Sequence, residues 1–540
     1  MNKPPVTILH IILGNYLYGA SRAMLATAKY TTEMGGYKHI IAGLAPWEPE
    51  ALELAKESHV EVFPSNDVNE IKKACADADI VQVEWWNSPQ MDKLLRSELP
   101  PMRLISWFHV AGDRDPQYIT KEIVDFSDLA LASSPQSYLC PSIQNLPTEI
   151  RLAKTGMVYD AADFARLEGF SPKPHDTFNI GYIGSLDWHK LHADFIEMSA
   201  AVNVPNVKFR VCGEGIVDTL KAQAAKLGAT ERFDFRGWVK DIRSEIELFD
   251  VYGYPLCEDT FASAELNLQE VMVAGVPPVV FPHGGIKQLV VNDFTGLVVS
   301  SNAEYSEAIE YLYNNQEERK RLGNNARVYA EQIFGGINAA KKFHKYYSKL
   351  LEEPKQHRVW GVDRSYSMSN QRVLLGDSVV DQKTIGARRF IDSLGETKEL
   401  FLISYYGDTI DRLFEVERTI VKSSQLMIKG GLLPYRNTYA NDPFILLWHG
   451  LAQYGAGNYE LALSEFASSL QAGIGRPHVL WYASLSACQL GQLEISLNAL
   501  NQLTQLMPEF SPASDLLNRI KSSGDSILSS EIPEICCNIY

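Results

Sequence analysis

Three residues within one short stretch have the types and spacing to hold a nucleotide. Glu270 lies on a helix whose Leu268, Val271 and Met272 recur at i, i+3, i+4 as one apolar face. Gly275 ends that helix, and Pro277-Pro278 prevents its continuation. Val279, Val280 and Phe281 then make a short buried strand, and Pro282-His283-Gly284-Gly285 opens a second helix. Gly-Gly at a strand-to-helix turn lets backbone N–H groups approach an anion, and the helix dipole favours negative charge there. A carboxylate on the preceding helix suits the ribose hydroxyls, so residues 259–296 read as a nucleotide site. A second set follows from the rule that ligands in open α/β sheets sit off the carboxyl ends of strands. Glu84 and Trp85 follow a predicted strand at 80–83 and are read as acceptor contacts, against the alternative that the Trp85-Trp86 pair packs under a helix.

The elements that must position these residues form a doubly wound pattern. Apolar runs at 6–13, 39–44, 60–63, 80–83, 104–108 and 129–133 alternate with helical stretches. The first run feeds the loop Gly14 to Arg22 and a helix to Tyr30, the opening unit of such a sheet. Ser171-Pro172-Lys173-Pro174 is a Pro-bearing linker. Beyond it, strands at 178–184, 208–212, 233–237, 250–255 and 279–281 repeat the pattern. The fold class is α/β, with two Rossmann-like domains at 1–172 and 173–336. Helical sequence runs on to about residue 351. Residues 352–386 lose periodicity and read as a linker, 387–525 as an all-α domain, and 526–540 as a tail.

Composition bounds the function. At 540 residues the chain has room for roughly two to four domains. Its net charge of −16 argues against a general binder of nucleic acid or anionic membrane, while leaving room for a local basic pocket. The seven cysteines show no CxxC or Cys/His spacing, which points to reduced thiols and a cytoplasmic setting; Cys536-Cys537 lacks a prenylation box. No run reaches about 18 apolar residues, so no transmembrane helix is expected. Asp113-Arg114-Asp115 has the form of a metal-binding Asp-x-Asp but lies in a predicted solvated loop, and no metal site is assigned.

Glu270-Val271-Met272-Val273-Ala274-Gly275-Val276-Pro277, then Gly284-Gly285, then Asn292-Asp293-Phe294-Thr295-Gly296-Leu297-Val298 match in order and spacing the donor signature of retaining GT-B glycosyltransferases (group 1, family 4-like), which this chain resembles. The resemblance implies transfer of a sugar from a nucleotide-diphosphate donor, retention of configuration, no metal and no cofactor beyond that substrate. It implies donor contacts at Gly19, Ser185, Lys190, Gly213, Gly237, Glu270, Gly284 and Gly285. Lys190 stands where relatives place a lysine that neutralises the leaving diphosphate, and Ser185 stands where they place arginine. His109, at the end of the 104–108 strand, matches a histidine near the transferred sugar. Relatives carry a glutamate eight residues before the ribose glutamate; here that position is Ala262, with Glu265 preferred over Glu258 as its replacement. Gln288 replaces the glutamate of Gly-Gly-x-x-Glu. The catalytic set is therefore His109, Lys190 and Glu265. A helix starting near residue 337 is expected, by resemblance, to cross back onto the first domain.

The last part repeats at an offset of 34 residues: Gly450, Gly457, Tyr459, Ala462, Phe466 and Leu470 recur as Ser484, Gly491, Leu493, Ser496, Leu500 and Thr504. That period resembles tetratricopeptide repeats, paired helices that stack on a shared core and commonly bind proteins. The expected partners are a nucleotide-sugar donor, a glycan, lipid or protein acceptor with peripheral membrane contact open, and a protein or second copy at the repeats; nucleic acid is not expected. Two other functions fit the architecture: a non-catalytic GT-B module in a repeat scaffold, and a sugar-nucleotide epimerase, which would need an acid/base set beyond His109.

Overall fold

The computed structural model describes residues 4–14, 19–360, 382–423 and 431–523. Residues 15–18 of the first loop, most of the expected linker, and Cys536-Cys537 with the tail lie outside the described residues. The chain divides into two compact units, residues 1–86 with 93–369, and residues 87–92 with 370–540.

The first unit holds two parallel sheets. One is built from β1 (Val6–Ile12), β2 (Tyr37–Gly43), β3 (Glu61–Val62), β4 (Ile80–Trp85), β5 (Leu104–Phe108), β6 (Leu129–Ala132) and β7 (Thr155–Met157), in the order β3-β2-β1-β4-β5-β6-β7. The other is built from β8 (Phe178–Ile183), β9 (Val207–Cys212), β10 (Phe233–Gly237), β11 (Val251–Tyr254), β12 (Pro278–Val280) and β13 (Leu297–Val298), in the order β10-β9-β8-β11-β12-β13. The strands are apolar runs because helices cover both faces of a parallel sheet. Each order reverses once, beside β1/β4 and beside β8/β11, and such reversals open a crevice at the strands' carboxyl ends. Ile8 pairs with Ile80 across the first reversal and Val251 with Ile180 across the second.

The helix Gly336–Leu351 is the last helix of this unit among the described residues. It packs on the helix Gly19–Glu33, and its Phe343 and Tyr347 are fully buried in the core of the first sheet. Gly336 is required at that crossing, since a Cβ there would meet the Tyr30 ring at 2.3 Å.

The second unit is all-helical. The helices Pro443–Gly455 and Tyr459–Gln471 form one pair, and Val479–Gln489 and Leu493–Leu506 form the next. The helix Ile410–Lys422 lies against both pairs. Its fully buried Glu417 accepts from Tyr482 Oη (2.7 Å) and Ser404 Oγ (3.1 Å), and His478 Nε2 lies 3.1 Å away, while Phe414 stacks on Phe510. No helix among the described residues is long and apolar enough to cross a membrane.

Candidate active site

The second sheet's reversal holds the best-formed chemistry. Lys190 follows β8, and Glu265 caps the helix Leu266–Val273. Lys190 Nζ lies 2.8 Å from Glu265 Oε2, and Tyr254 Oη donates to the same oxygen at 2.6 Å. Tyr254 is the last residue of β11, and the lysine sits 5.9 Å over its ring. Two more buried tyrosines hold the loop that carries Lys190: Tyr182 donates to Ser185 O (3.0 Å) and Tyr252 to Ile183 O (3.1 Å). Burial raises all three phenols well above their ordinary pKa, so they stay neutral donors. Ser185 is half-buried in that loop. Gly213 serves close packing, because a Cβ there would lie 1.9 Å from Gly184 O; its N–H donates to Gly237 O at 2.8 Å. Gly237 takes the left-handed φ of +66° that ends β10. Gly19 is the first residue of its helix, with open space where a Cβ would stand.

Five residues beyond Glu265, Glu270 is buried on the same helix. Its carboxylate lies 2.5 Å from Arg166, on the short turn Phe164–Leu167. Burial raises the Glu270 pKa, and Arg166 and Arg22 oppose that rise. Burial lowers the Arg22 pKa, and Arg166 lowers it further. These groups line a cleft of about 260 Å³ with Lys29, Trp238 and Lys240. Trp238 is 53% exposed there. Next to Glu270, Gln269 bridges the segment that joins the two sheets: its Nε2 donates to Asp160 O (2.7 Å) and its Oε1 accepts from Ala162 N (3.2 Å).

Three expectations change. Glu84 and Trp85 do not reach the cleft: β4 runs on through Trp85, so Glu84 is fully buried, and Trp85 packs edge-on against Phe108. His109 is buried with both ring nitrogens engaged, Nδ1 at 2.7 Å from Asp160 Oδ1 and Nε2 at 2.8 Å from Glu84 Oε2. Burial alone would disfavour its charge, but the carboxylates of Asp160 and Glu84 outweigh burial and push its pKa up to about 10. His109 is thus an imidazolium clamped between two acids, with neither nitrogen left for a sugar. The same clamp, with His10 at 2.6 Å, holds the Glu84 pKa low against its burial.

The Gly-Gly segment opens a short 3₁₀ helix rather than an α-helix. Gly284–Gln288 is a five-residue 3₁₀ turn, and the Gly285 N–H donates to Ala262 O at 2.8 Å. Both glycines permit close approach instead: Cβ atoms would meet Ser263 O at 2.0 Å and Ala262 O at 2.7 Å. Ala262 is itself buried, and Ser263 hydrogen-bonds Ser133, Ser134 and Ser137 at 2.7–3.0 Å. Glu258 is not at Lys190; the carboxylate there belongs to Glu265, and Glu258 instead raises the pKa of His283, whose net shift is downward through burial. Gln288 donates to Gln136 Oε1 at 3.1 Å. Among the described residues no group of three or more His, Cys, Asp or Glu could hold a metal ion.

Reading the sequence missed Arg166, Asp160, Gln269 and Tyr254. Arg166 lies between the 129–133 strand and the Pro-bearing linker at 171–174, where no local pattern marks it.

Comparison with known proteins falls on these elements. Residues 163–329 match the family model for glycosyl transferases, group 1. The second sheet, Lys190, Glu265 and Glu270 all lie inside that match. Over 85 residues the chain is 32% identical to YtcC of Bacillus subtilis (strain 168), provisionally named a glycosyltransferase. That stretch is 15% of this chain and spans about a fifth (21%) of YtcC. Among solved structures, Anabaena HepE in complex with UDP superposes with a TM-score of 0.53 at 18% identity, over 64% of this chain and all of HepE (100%). A glycosyltransferase from Rickettsia africae gives 0.54 at 14% identity, over 65% of this chain and 99% of its own. The two Rossmann-like domains have the GT-B fold.

Proposed function

We propose that the protein is a metal-independent hexosyltransferase that moves a sugar from a nucleoside-diphosphate donor to a glycan, lipid or protein acceptor, with retention of configuration. The observation that carries this reading is the Lys190–Glu265 pair at the second sheet's reversal, with Glu270 one helical turn and a residue further on. In the reaction the bond from the anomeric carbon to the diphosphate oxygen breaks, and a bond to the acceptor oxygen forms on the same face as the acceptor's hydroxyl proton passes to the departing diphosphate oxygen. Lys190 stabilises the departing diphosphate, because a fixed cation works best where charge develops. Its release from Glu265 leaves that carboxylate facing the positive, oxocarbenium-like ring. Glu270 takes the ribose hydroxyls in exchange for Arg166. His109 acts through position, fixing Asp160 and the segment between the domains. HepE has been crystallised with UDP-glucose, which makes uridine donors the first to try.

The test is a thermal-shift panel of uridine, guanosine and adenosine diphosphate sugars. A true donor at about 100 times its dissociation constant stabilises by roughly 2.7 kcal/mol. Glu270→Ala should abolish the shift, whereas Lys190→Ala should lower turnover by about 10²–10³-fold. No shift with any donor would favour a non-catalytic module, and conversion of donor without acceptor would favour an epimerase.

A further inference from the structure

The helix Gly336–Leu351 carries Lys341, Lys342, His344, Lys345 and Lys349 and no acidic residue, in a chain with a net charge of −16. Its apolar side is spent in the first core. The opposite side presents Ile337, Lys341, His344, Lys345 and Lys349, all exposed. Lys341, Lys345 and Lys349 are spaced i, i+4, i+8, a row that destabilises a helix unless something opposes its charge. None of the three is in an ion pair with a described residue; Lys349 Nζ donates to Ala153 O at 2.8 Å.

That bond sets the lysine row beside the helix Thr148–Lys154, where Leu152 is 71% and Ile150 36% exposed. Arg151 and Lys154 add charge there, each donating to a backbone carbonyl. The acidic residues on and just beyond these two helices are Glu149, Glu352 and Glu353, fewer than the six cations.

We propose that this face docks on an anionic lipid bilayer. The lysines lie over lipid phosphates, and Leu152 enters the headgroup boundary beside them. The negative total charge does not oppose this, because salt screens charges beyond roughly 8–10 Å. A lipid surface fits better than an acidic protein, since lysine is depleted at protein interfaces, which favour aromatic anchors this face lacks. Composition alone argues against an anionic-membrane binder; the local segregation of charge is what reverses that expectation.

The experiment is co-sedimentation of the full chain with vesicles of phosphatidylcholine alone, and of phosphatidylcholine with about one-third phosphatidylglycerol, at roughly 0.1 M salt. No nucleotide sugar is present, so the result is independent of the proposed activity. The protein should bind the anionic vesicles and leave the neutral ones. Lys341→Gln, Lys345→Gln and Lys349→Gln together should weaken binding roughly a hundredfold, and Leu152→Ser alone roughly tenfold. Both variants change exposed side chains, and unchanged melting temperatures would show that they fold. Equal binding to both vesicles, binding to neither, or an unaffected triple variant would overturn the proposal. So would retention on immobilised polyglutamate without vesicle binding, which would assign the face to an acidic protein.

Discussion

Replacing His109 by glutamine removes the cation that sits between Glu84 and Asp160. Glutamine can donate to one of these carboxylates, and the other is left buried without its charge partner. Breaking a buried pair in this way costs about 3–5 kcal/mol. The pH dependence gives a sharper test. An unfolded histidine titrates near 6.5, whereas His109 in the fold titrates at about 10. Below about 6.5 both states hold the proton and the stabilisation is fully present. Between the two values only the folded state holds it, so each pH unit removes about 1.4 kcal/mol, and above about 10 the contribution is gone. From pH 7 to pH 9 the wild type should therefore lose on the order of 2–3 kcal/mol through this one group. Full burial means that solvent screening does not reduce the figure. The variant has no such group, so the gap between the two proteins should shrink by nearly that amount. Urea unfolding at pH 7, 8 and 9 measures it, and Trp107, whose ring centroid is 4.5 Å from that of His109, provides a local fluorescence reporter. Stability curves that fall in parallel for wild type and variant would refute an imidazolium at this position.

Two further outcomes test the site and the loops that build it. Glu265→Ala should reduce turnover by about 10²-fold or more, while Glu258→Ala, which removes no ion pair with the lysine, should change it by less than about twofold; equal losses would remove Glu265 from the mechanism. Gly213→Ala should destabilise by about 1–3 kcal/mol, because its Cβ would press on the Gly184 carbonyl. Gly19→Ala meets open space and should stay within about 0.5 kcal/mol in the same urea titration.

The two sheets were readable because parallel strands covered on both faces must be apolar runs, as β1 and β12 are. The helix Leu266–Val273 was readable because its apolar spacing and the Gly-Pro stop are local features. What was not readable depends on distant neighbours. Glu84 looks like the first polar residue past a strand, and only the pairing with His10 and His109, 74 and 25 residues away, makes a buried glutamate stable. Gly284-Gly285 is the same dipeptide whether it cradles a phosphate or admits a neighbouring backbone; the carbonyl of Ser263 decides between them here. Arg166 gains its importance from Glu270, 104 residues on, and no local pattern marks such a pair.

The eight-residue helix Leu266–Val273 and its cap hold three contacts of different kinds. Glu265 fixes Lys190 in the loop after β8, Gln269 grips the backbone of residues 160–162, and Glu270 engages Arg166 just beyond them. Asp160, whose carbonyl Gln269 holds, turns its carboxylate to the His109 clamp in the first sheet. The helix cannot shift toward a ligand without pulling on the segment that joins the two domains. Conversely, any displacement of that segment would move Arg166 and so change what Glu270 faces. A buried imidazolium is a stiff anchor for that arrangement, because its two charged hydrogen bonds run to different elements and both would have to stretch together. This accounts for a histidine at the strand end that contributes geometry rather than a free ring nitrogen. If Glu270 holds the donor as proposed, donor affinity and the geometry of this segment share one set of contacts, and substitutions at Gln269 or Asp160 should change both.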